Sequence, residues 1–174
     1  GAGNQGMVLL ESCQKIPNIR ITALCDIWKE YRQKYVSGRL RIYGHEHTAY
    51  VDLREMLDKE KGRIDAAIIA TPDFWHAEHA IACLNAGLHV YCEKEMSNTL
   101  EDARRIVRAA RASGKLLQVG HQRRSNPRYR FSYQKLLREA SLLGRITTVN
   151  GQWNRSRQDP LTMPAKYNIE PATL

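Results

Sequence analysis

The 174-residue sequence has no aspartate or glutamate between Arg104 and Arg138 and no Cys-x-x-Cys pair, and no apolar run in it approaches the roughly 18 residues that span a bilayer. The missing apolar run excludes a membrane-spanning helix, and the first residues lack the charged-then-apolar order of a signal peptide. The missing cysteine pairs exclude a zinc site of that spacing, so Cys13, Cys25, Cys83 and Cys92, each in an apolar context, read as reduced core thiols. His45, His47 and His79 show no convergent spacing, and no metal is expected. The missing acids contribute to a net charge of +9, which nucleic acid or an anionic ligand can exploit. With neither zinc-finger spacing nor an RNP-type aromatic motif beside it, that charge reads as a solvated basic helix face plus a few phosphate-contacting arginines. No nucleic-acid or membrane partner is expected.

What is present is 43% hydrophobic and 26% charged, enough for one substantial core and the start of a second. "GAGNQG" leads into the helix-compatible "MVLLESCQK". "NIRITALCD" reads as a strand with Ile19, Ile21, Ala23 and Cys25 on one face. "WKEYRQKYVSG" reads as a helix closed by Gly38, "TAYVD" as a brief strand, and "LREMLDKE" as a helix with Leu53, Met56 and Leu57 inward. "IDAAIIATP" is almost continuously apolar, the pattern of a parallel strand covered on both faces. Next come a helix ending at Gly87, the strand "LHVYCE", a helix capped at Asn98 or Thr99 and ending at Gly114, and the strand "KLLQVG". This alternation predicts an α/β fold, a doubly wound parallel sheet over residues 1–125. After Pro127, "RYRFSYQKLLREASLLG" reads as a helix and "RITTVNGQWN" as an alternating strand. Residues 126–174 are expected to begin a second, α+β domain for substrate binding and oligomerisation.

The chemistry gathers at the strand ends. Gly1, Gly3 and Gly6 fit Gly-x-Gly-x-x-Gly, a helix follows, and the next strand ends at Asp26, twenty residues beyond Gly6. This is the dinucleotide fingerprint of a Rossmann-type sheet. Gly1 permits a tight turn, Gly3 lets the backbone approach a pyrophosphate, and Gly6 lets the helix lie close to the sheet. Gly1, Gly3, Asn4, Gln5 and Gly6 are therefore expected to bind the cofactor at the helix N-terminus. Asp26 is expected to accept hydrogen bonds from the adenosine ribose and to repel a 2′-phosphate, which favours NAD over NADP, with Lys29 and Arg32 placed to soften that preference. The strand that should precede the first glycine is missing from the sequence. The expected order 3-2-1-4-5-6 then has its first strand supplied by residues outside this chain, and any export signal would be lost with them. A cytoplasmic location is the expectation.

"ATPDFWHAEHAIACLNAGLHVYCEKEMSNTLEDARRIVRAARASG", with Thr71, Pro72, His76, Ala86, Gly87, His89, Val90, Glu93 and Lys94 at matching places, resembles the Gfo/Idh/MocA family (glucose-fructose oxidoreductase and inositol 2-dehydrogenase). The resemblance covers about 150 residues and includes the glycine fingerprint and Asp26. It implies that Thr71, Pro72, Asp73 and His76 line the cofactor loop, with His76 more a cap of its helix than a chemical group. It implies that Glu93 fixes the nicotinamide ribose region and that Lys94 contacts ribose and substrate. Lys94 would then be the acid or base at the carbon exchanging hydride. Downstream, Gln122 is placed to reach the carboxamide end of the cofactor, Arg123 or Arg124 to meet substrate or structural carboxylates, and His121 to be a structural histidine.

Two residues depart from the family pattern. Asp73 stands for the usual asparagine, and Glu95 stands for proline after Lys94. A cis bond before proline is cheap and before glutamate costs roughly 2.5–4 kcal/mol, so either the Lys94–Glu95 bond is cis or Lys94 is aimed differently. A second carboxylate would also stabilise a charged Lys94. The resemblance implies an NAD-dependent oxidoreductase acting on a sugar or cyclitol hydroxyl or carbonyl, assembled as a homo-oligomer through its second domain. An NAD-dependent glycoside hydrolase of the same fold and a non-catalytic NAD-binding regulatory protein remain alternatives, the latter favoured by Glu95.

Overall fold

The computed structural model describes residues 1–154, apart from the side chains of Tyr31 and Arg32. The expected influence of Arg32 and the last part of the second-domain expectation, 155–174, lie outside the described residues. Among the described residues the chain forms two compact units, Gly1–Gly120 and the part that starts at His121.

The first unit alternates helices and parallel strands. They run α1 Asn4–Cys13, β1 Ala23–Cys25, α2 Lys34–Ile42 after a π-turn at Lys29–Gln33, β2 Thr48–Tyr50, α3 Leu53–Lys59, β3 Ala66–Ile69, α4 His76–Asn85, β4 His89–Glu93, α5 Leu100–Ser113 and β5 Leu117–Gly120. The strands form two parallel sets, β2–β1 and β3–β4–β5. In register, Ala23 faces Thr48, Ala66 faces His89, and Glu93 faces Gly120. Strands β1 and β3 are not paired, as expected for an order in which another strand separates them.

Local chemistry sets the helix ends. Asp52 accepts the Glu55 N–H at 2.8 Å to start α3, and the Thr99 hydroxyl oxygen accepts the Asp102 N–H at 3.2 Å to start α5. Gly114, at φ 65°, takes the left-handed residue that stops α5. Two cores result. Ile69, Ala80, Cys83, Leu84, Val90, Cys92 and Ile106 join α4 and α5 to β3 and β4, while Ala2, Leu10, Val36 and Leu40 join α1 and α2 to β1. Tyr50 donates to Glu60 Oε1 at 2.6 Å, giving that buried carboxyl a hydrogen bond beside its ion pair with Arg63 at 3.6 Å.

Four sequence expectations change. The strand predicted from residue 18 shortens to Ala23–Cys25, and Ile19 is exposed. Helix α2 passes through Gly38 because burial of Val36 and Leu40 outweighs the cost of about 1 kcal/mol for one helical glycine. Strand β3 is covered on one face only: Ala67 and Ile69 pack against the core, whereas Ala66 and Ile68 are exposed. In the second unit, α6 (Gln122–Ser125), α7 (Pro127–Phe131) and a π-segment (Ser132–Glu139) occupy the predicted helix. Residues 145–154 form no strand, and among the described residues nothing offers that segment a ladder of hydrogen bonds.

Candidate cofactor and active site

The carboxyl ends of β1, β3 and β4 and the N-terminus of α1 carry most of the sequence-predicted residues of the first unit. Helix α1 starts after Gly3, in extended backbone (φ −69°, ψ −169°), with no side-chain cap and no acid in its first turn. Its positive end is therefore suited to an anion. The glycines are needed for close approach. A Cβ on Gly1 would lie 2.7 Å from the Ala70 carbonyl oxygen, and one on Gly6 would run into the Gly1 carbonyl oxygen. A Cβ on Gly3 would meet nothing within 4 Å, so protein packing does not demand glycine there. This cradle and helix end fit a dinucleotide's pyrophosphate.

Asp26 closes the loop from the side. Its Oδ2 accepts the Ala2 N–H at 2.6 Å and its Oδ1 the Trp28 N–H at 2.8 Å. Beneath it lies Gln33, which sequence reasoning missed. Its buried Nε2 donates to the Asp26 carbonyl at 2.6 Å and to the Tyr50 carbonyl, tying the end of β1 to that of β2. Only a polar residue at a helix position that turned out to be buried could have signalled it.

After β3, Thr71 and Pro72 lead into a short 3-10 turn, Asp73–Trp75, and then α4. His76 opens α4 almost fully buried, at 1% exposure. Its Nε2 lies 2.8 Å from the Thr71 carbonyl and its Nδ1 lies against the Glu95 carbonyl, so each ring nitrogen faces a backbone acceptor and the single N–H of a neutral ring donates to one of the two. His79, given no role from sequence, has its Nδ1 3.1 Å from Thr71 Oγ1 and stacks on Trp75 at 5.5 Å. Burial pulls the His79 pKa below its ordinary value.

Strand β4 delivers "EKE". Glu93, 4% exposed, accepts from Gln5 Nε2 at 2.9 Å and Tyr91 OH at 3.3 Å through Oε1, and from the Lys94 N–H at 3.1 Å through Oε2. Gln5 thus links the glycine loop to the tip of β4. Tyr91 was not foreseen, because a strand tyrosine two residues before a glutamate carries no signal of its own. Gly120 makes room for this cluster: a Cβ there would strike the Tyr91 hydroxyl and lie 3.1 Å from Glu93 Oε1. Lys94 is exposed and, among the described residues, forms no ion pair with Glu93 or Glu95. The Lys94–Glu95 bond is cis. Burial raises the Cys83 and Cys92 thiols, each to about 12, and the Cys25 thiol to about 11. All four cysteines are free.

Gln122, Arg123 and Arg124 belong to the second unit. There Arg123 donates to Tyr129 OH at 2.7 Å and lies over the Trp153 ring at 4.9 Å. Among the described residues no group of three or more His, Cys, Asp or Glu could hold a metal, and no helix is long and apolar enough to cross a membrane.

A parallel nucleotide-type sheet with a glycine cradle, an acid at the end of β1 and Glu-Lys at the end of β4 defines the Rossmann-type class of fold. Residues 1–121 match the Gfo/Idh/MocA profile, described as an oxidoreductase family with an NAD-binding Rossmann fold, and the chain belongs to that family. It is 32% identical over 137 residues to 4-carboxy-2-hydroxymuconate-6-semialdehyde dehydrogenase of Sphingobium sp. (strain NBRC 103272 / SYK-6), an alignment covering 79% of this chain and 41% of that protein. Over 96 residues it is 40% identical to scyllo-inositol 2-dehydrogenase (NADP(+)) IolW of Bacillus subtilis (strain 168), covering 55% of this chain and 26% of the relative. Among solved structures, myo-inositol 2-dehydrogenase from Lactobacillus plantarum superposes with a TM-score of 0.71 at 27% identity, over 84% of this chain and 41% of that one. Scyllo-inositol dehydrogenase from Lactobacillus casei, with bound NAD(H) and scyllo-inositol, gives 0.69 at 25%, over 83% and 40%. The chain thus spans about two-fifths of the length of the first of these relatives.

Proposed function

We propose that the protein containing this chain is an NAD-dependent oxidoreductase that moves hydride between a nicotinamide and a hydroxyl or carbonyl carbon of a sugar or cyclitol. The carrying observation is Lys94, an exposed ammonium without an ion pair among the described residues, beside the buried Glu93 that Gln5 ties to the glycine loop. The inositol dehydrogenases among the relatives support the substrate class.

In this reading Gly1, Gly3, Asn4, Gln5 and Gly6 hold the pyrophosphate through backbone N–H groups and the helix end. Asp26 keeps lone pairs for the adenosine ribose while its other contacts hold Ala2 and Trp28 in place. Thr71, Pro72 and Asp73 line the cofactor's path, and Glu93 fixes the region nearest the reacting ring. The bound dinucleotide supplies the hydride donor or acceptor. Once its ammonium has released a proton to solvent, the neutral Lys94 amine takes the proton from the substrate hydroxyl oxygen as the carbon is oxidised, and in reduction the ammonium gives that proton back. Gln122, Arg123 and Arg124 remain candidates for the carboxamide end and for substrate anions. Asp26 favours NAD. Lys29, exposed on a groove of about 290 Å³ with Lys34 and Arg41, is the residue that would tolerate NADP, the cofactor named for the Bacillus relative. Residues from His121 onward are assigned to the opening of a second domain, through which the protein forms a homo-oligomer.

The test is a panel of sugars and cyclitols offered to the full-length protein with NAD or NADP, read by reduced-cofactor absorbance. Turnover of at least one cyclitol or sugar with NAD is expected. Tight NAD binding without turnover across the panel would instead make the protein a non-catalytic binder, and release of aglycone from a dye-linked glycoside would make it a hydrolase.

A further inference from the structure

The ring of His76 joins two loops that meet at the carboxyl edge of the sheet. On one side its Nε2 contacts the carbonyl of Thr71, just beyond β3. On the other its Nδ1 contacts the carbonyl of Glu95, just beyond β4. At 1% exposure the ring is out of reach of a ligand, and each of its nitrogens faces a backbone carbonyl. Whatever it contributes to chemistry must pass through what it holds.

What it holds is the Glu95–Met96 peptide, one residue beyond Lys94. The Lys94 N–H is fastened to Glu93 Oε2 at 3.1 Å, and the carbonyl of the next residue is fastened to His76. Lys94 thus lies between two fastened backbone groups, its own N–H and the Glu95 carbonyl, while among the described residues its side chain has no partner that would aim it. A four-carbon stem with several rotatable bonds delivers an ammonium reproducibly only when its root is fixed.

Building on the role given to Lys94 above, we propose that His76 is a positioning residue: with its single N–H on Nδ1 it donates to the Glu95 carbonyl and so sets the root of Lys94, while Nε2 lies beside the Thr71 carbonyl of the β3 loop. The two contacts can be separated by substitution. Asparagine places a carboxamide nitrogen near the Nδ1 position, and glutamine places one near Nε2.

The experiment measures kcat, the KM for NAD and thermal stability in the full-length protein. His76→Gln, which lacks the Glu95 contact, lowers kcat by about ten- to hundredfold, the scale of a misplaced reacting group, and leaves the KM for NAD within about threefold. His76→Asn rescues kcat to within about threefold of the parent. On a Lys94→Met background His76→Gln has no further effect on kcat, since the two act through one group. Equal kcat in the Asn and Gln variants would overturn the proposal, as would loss of the fold in both, which would mark a ring that holds only the core. If Lys94→Met itself retained turnover, the lysine assignment would fall and this inference with it. A dead Lys94→Met protein with indistinguishable Asn and Gln variants would sink this inference alone.

Discussion

Replacing Glu93 by glutamine removes one acceptor from a cluster in which every contact requires one. Oε1 accepts from Gln5 Nε2 and Tyr91 OH, and Oε2 from the Lys94 N–H. A glutamine can keep its oxygen at the first position and satisfy two donors, but its amide nitrogen then faces the Lys94 N–H. Turned over, it keeps the Lys94 contact but requires Gln5 to reverse its own carboxamide and the Tyr91 hydroxyl to change from donor to acceptor. The first arrangement loses less, and one unmade hydrogen bond at a buried position costs about 1–3 kcal/mol. Glu93→Ala loses three contacts and leaves a cavity, so it is expected to cost more than Glu93→Gln, at about 1–3 kcal/mol for each donor left unmet. The assay is urea unfolding of the full-length protein, with the NAD dissociation constant measured alongside. Destabilisation by Glu93→Gln of under about 0.5 kcal/mol, the usual size of a surface substitution, would refute the reasoning.

Asp26→Ala is expected to weaken NAD binding and reduce discrimination against NADP, and equal NAD affinity before and after substitution would end that assignment. His79 is held below its ordinary pKa of 6.5 by burial, so the unfolded chain takes up its proton at higher pH than the folded one. Its contribution is complete above about 6.5 and is lost as pH falls from there toward the lower folded value. His79→Gln should therefore flatten that part of the stability–pH profile, and an unchanged slope would contradict it. Ile106→Ala, at 1% exposure between α5 and the sheet, should destabilise by about 2–5 kcal/mol in denaturant unfolding.

The parts legible in the sequence obey local rules. The fingerprint through Asp26, the Thr99 cap, the glycine stops at Gly87 and Gly114 and the residues of α3, α4 and α5 all follow from spacing and side-chain chemistry within a few residues. Contacts across the sheet were not legible. Gln33 reaches from the start of α2 to two strand ends, which depends on which elements become neighbours, while the local contacts of Tyr91 with Glu93 and of His79 with Thr71 carry no signal in residue type or spacing. Composition misled at Gly38, where buried neighbours overrode helix propensity, and at β3, whose apolar run is half exposed. The alternating pattern of residues 146–154 shows that period alone does not make a strand where no partner supplies the ladder.

The central claim is that Lys94 moves the proton that accompanies hydride transfer. Its most direct test is turnover by Lys94→Met in the full-length protein, on the best substrate from the sugar and cyclitol panel. The account predicts a kcat reduced by at least about a hundredfold, the usual scale of a lost acid or base, with the NAD dissociation constant changed by no more than a few fold. Turnover equal to the parent's would contradict it and leave Lys94 a surface lysine beside two glutamates.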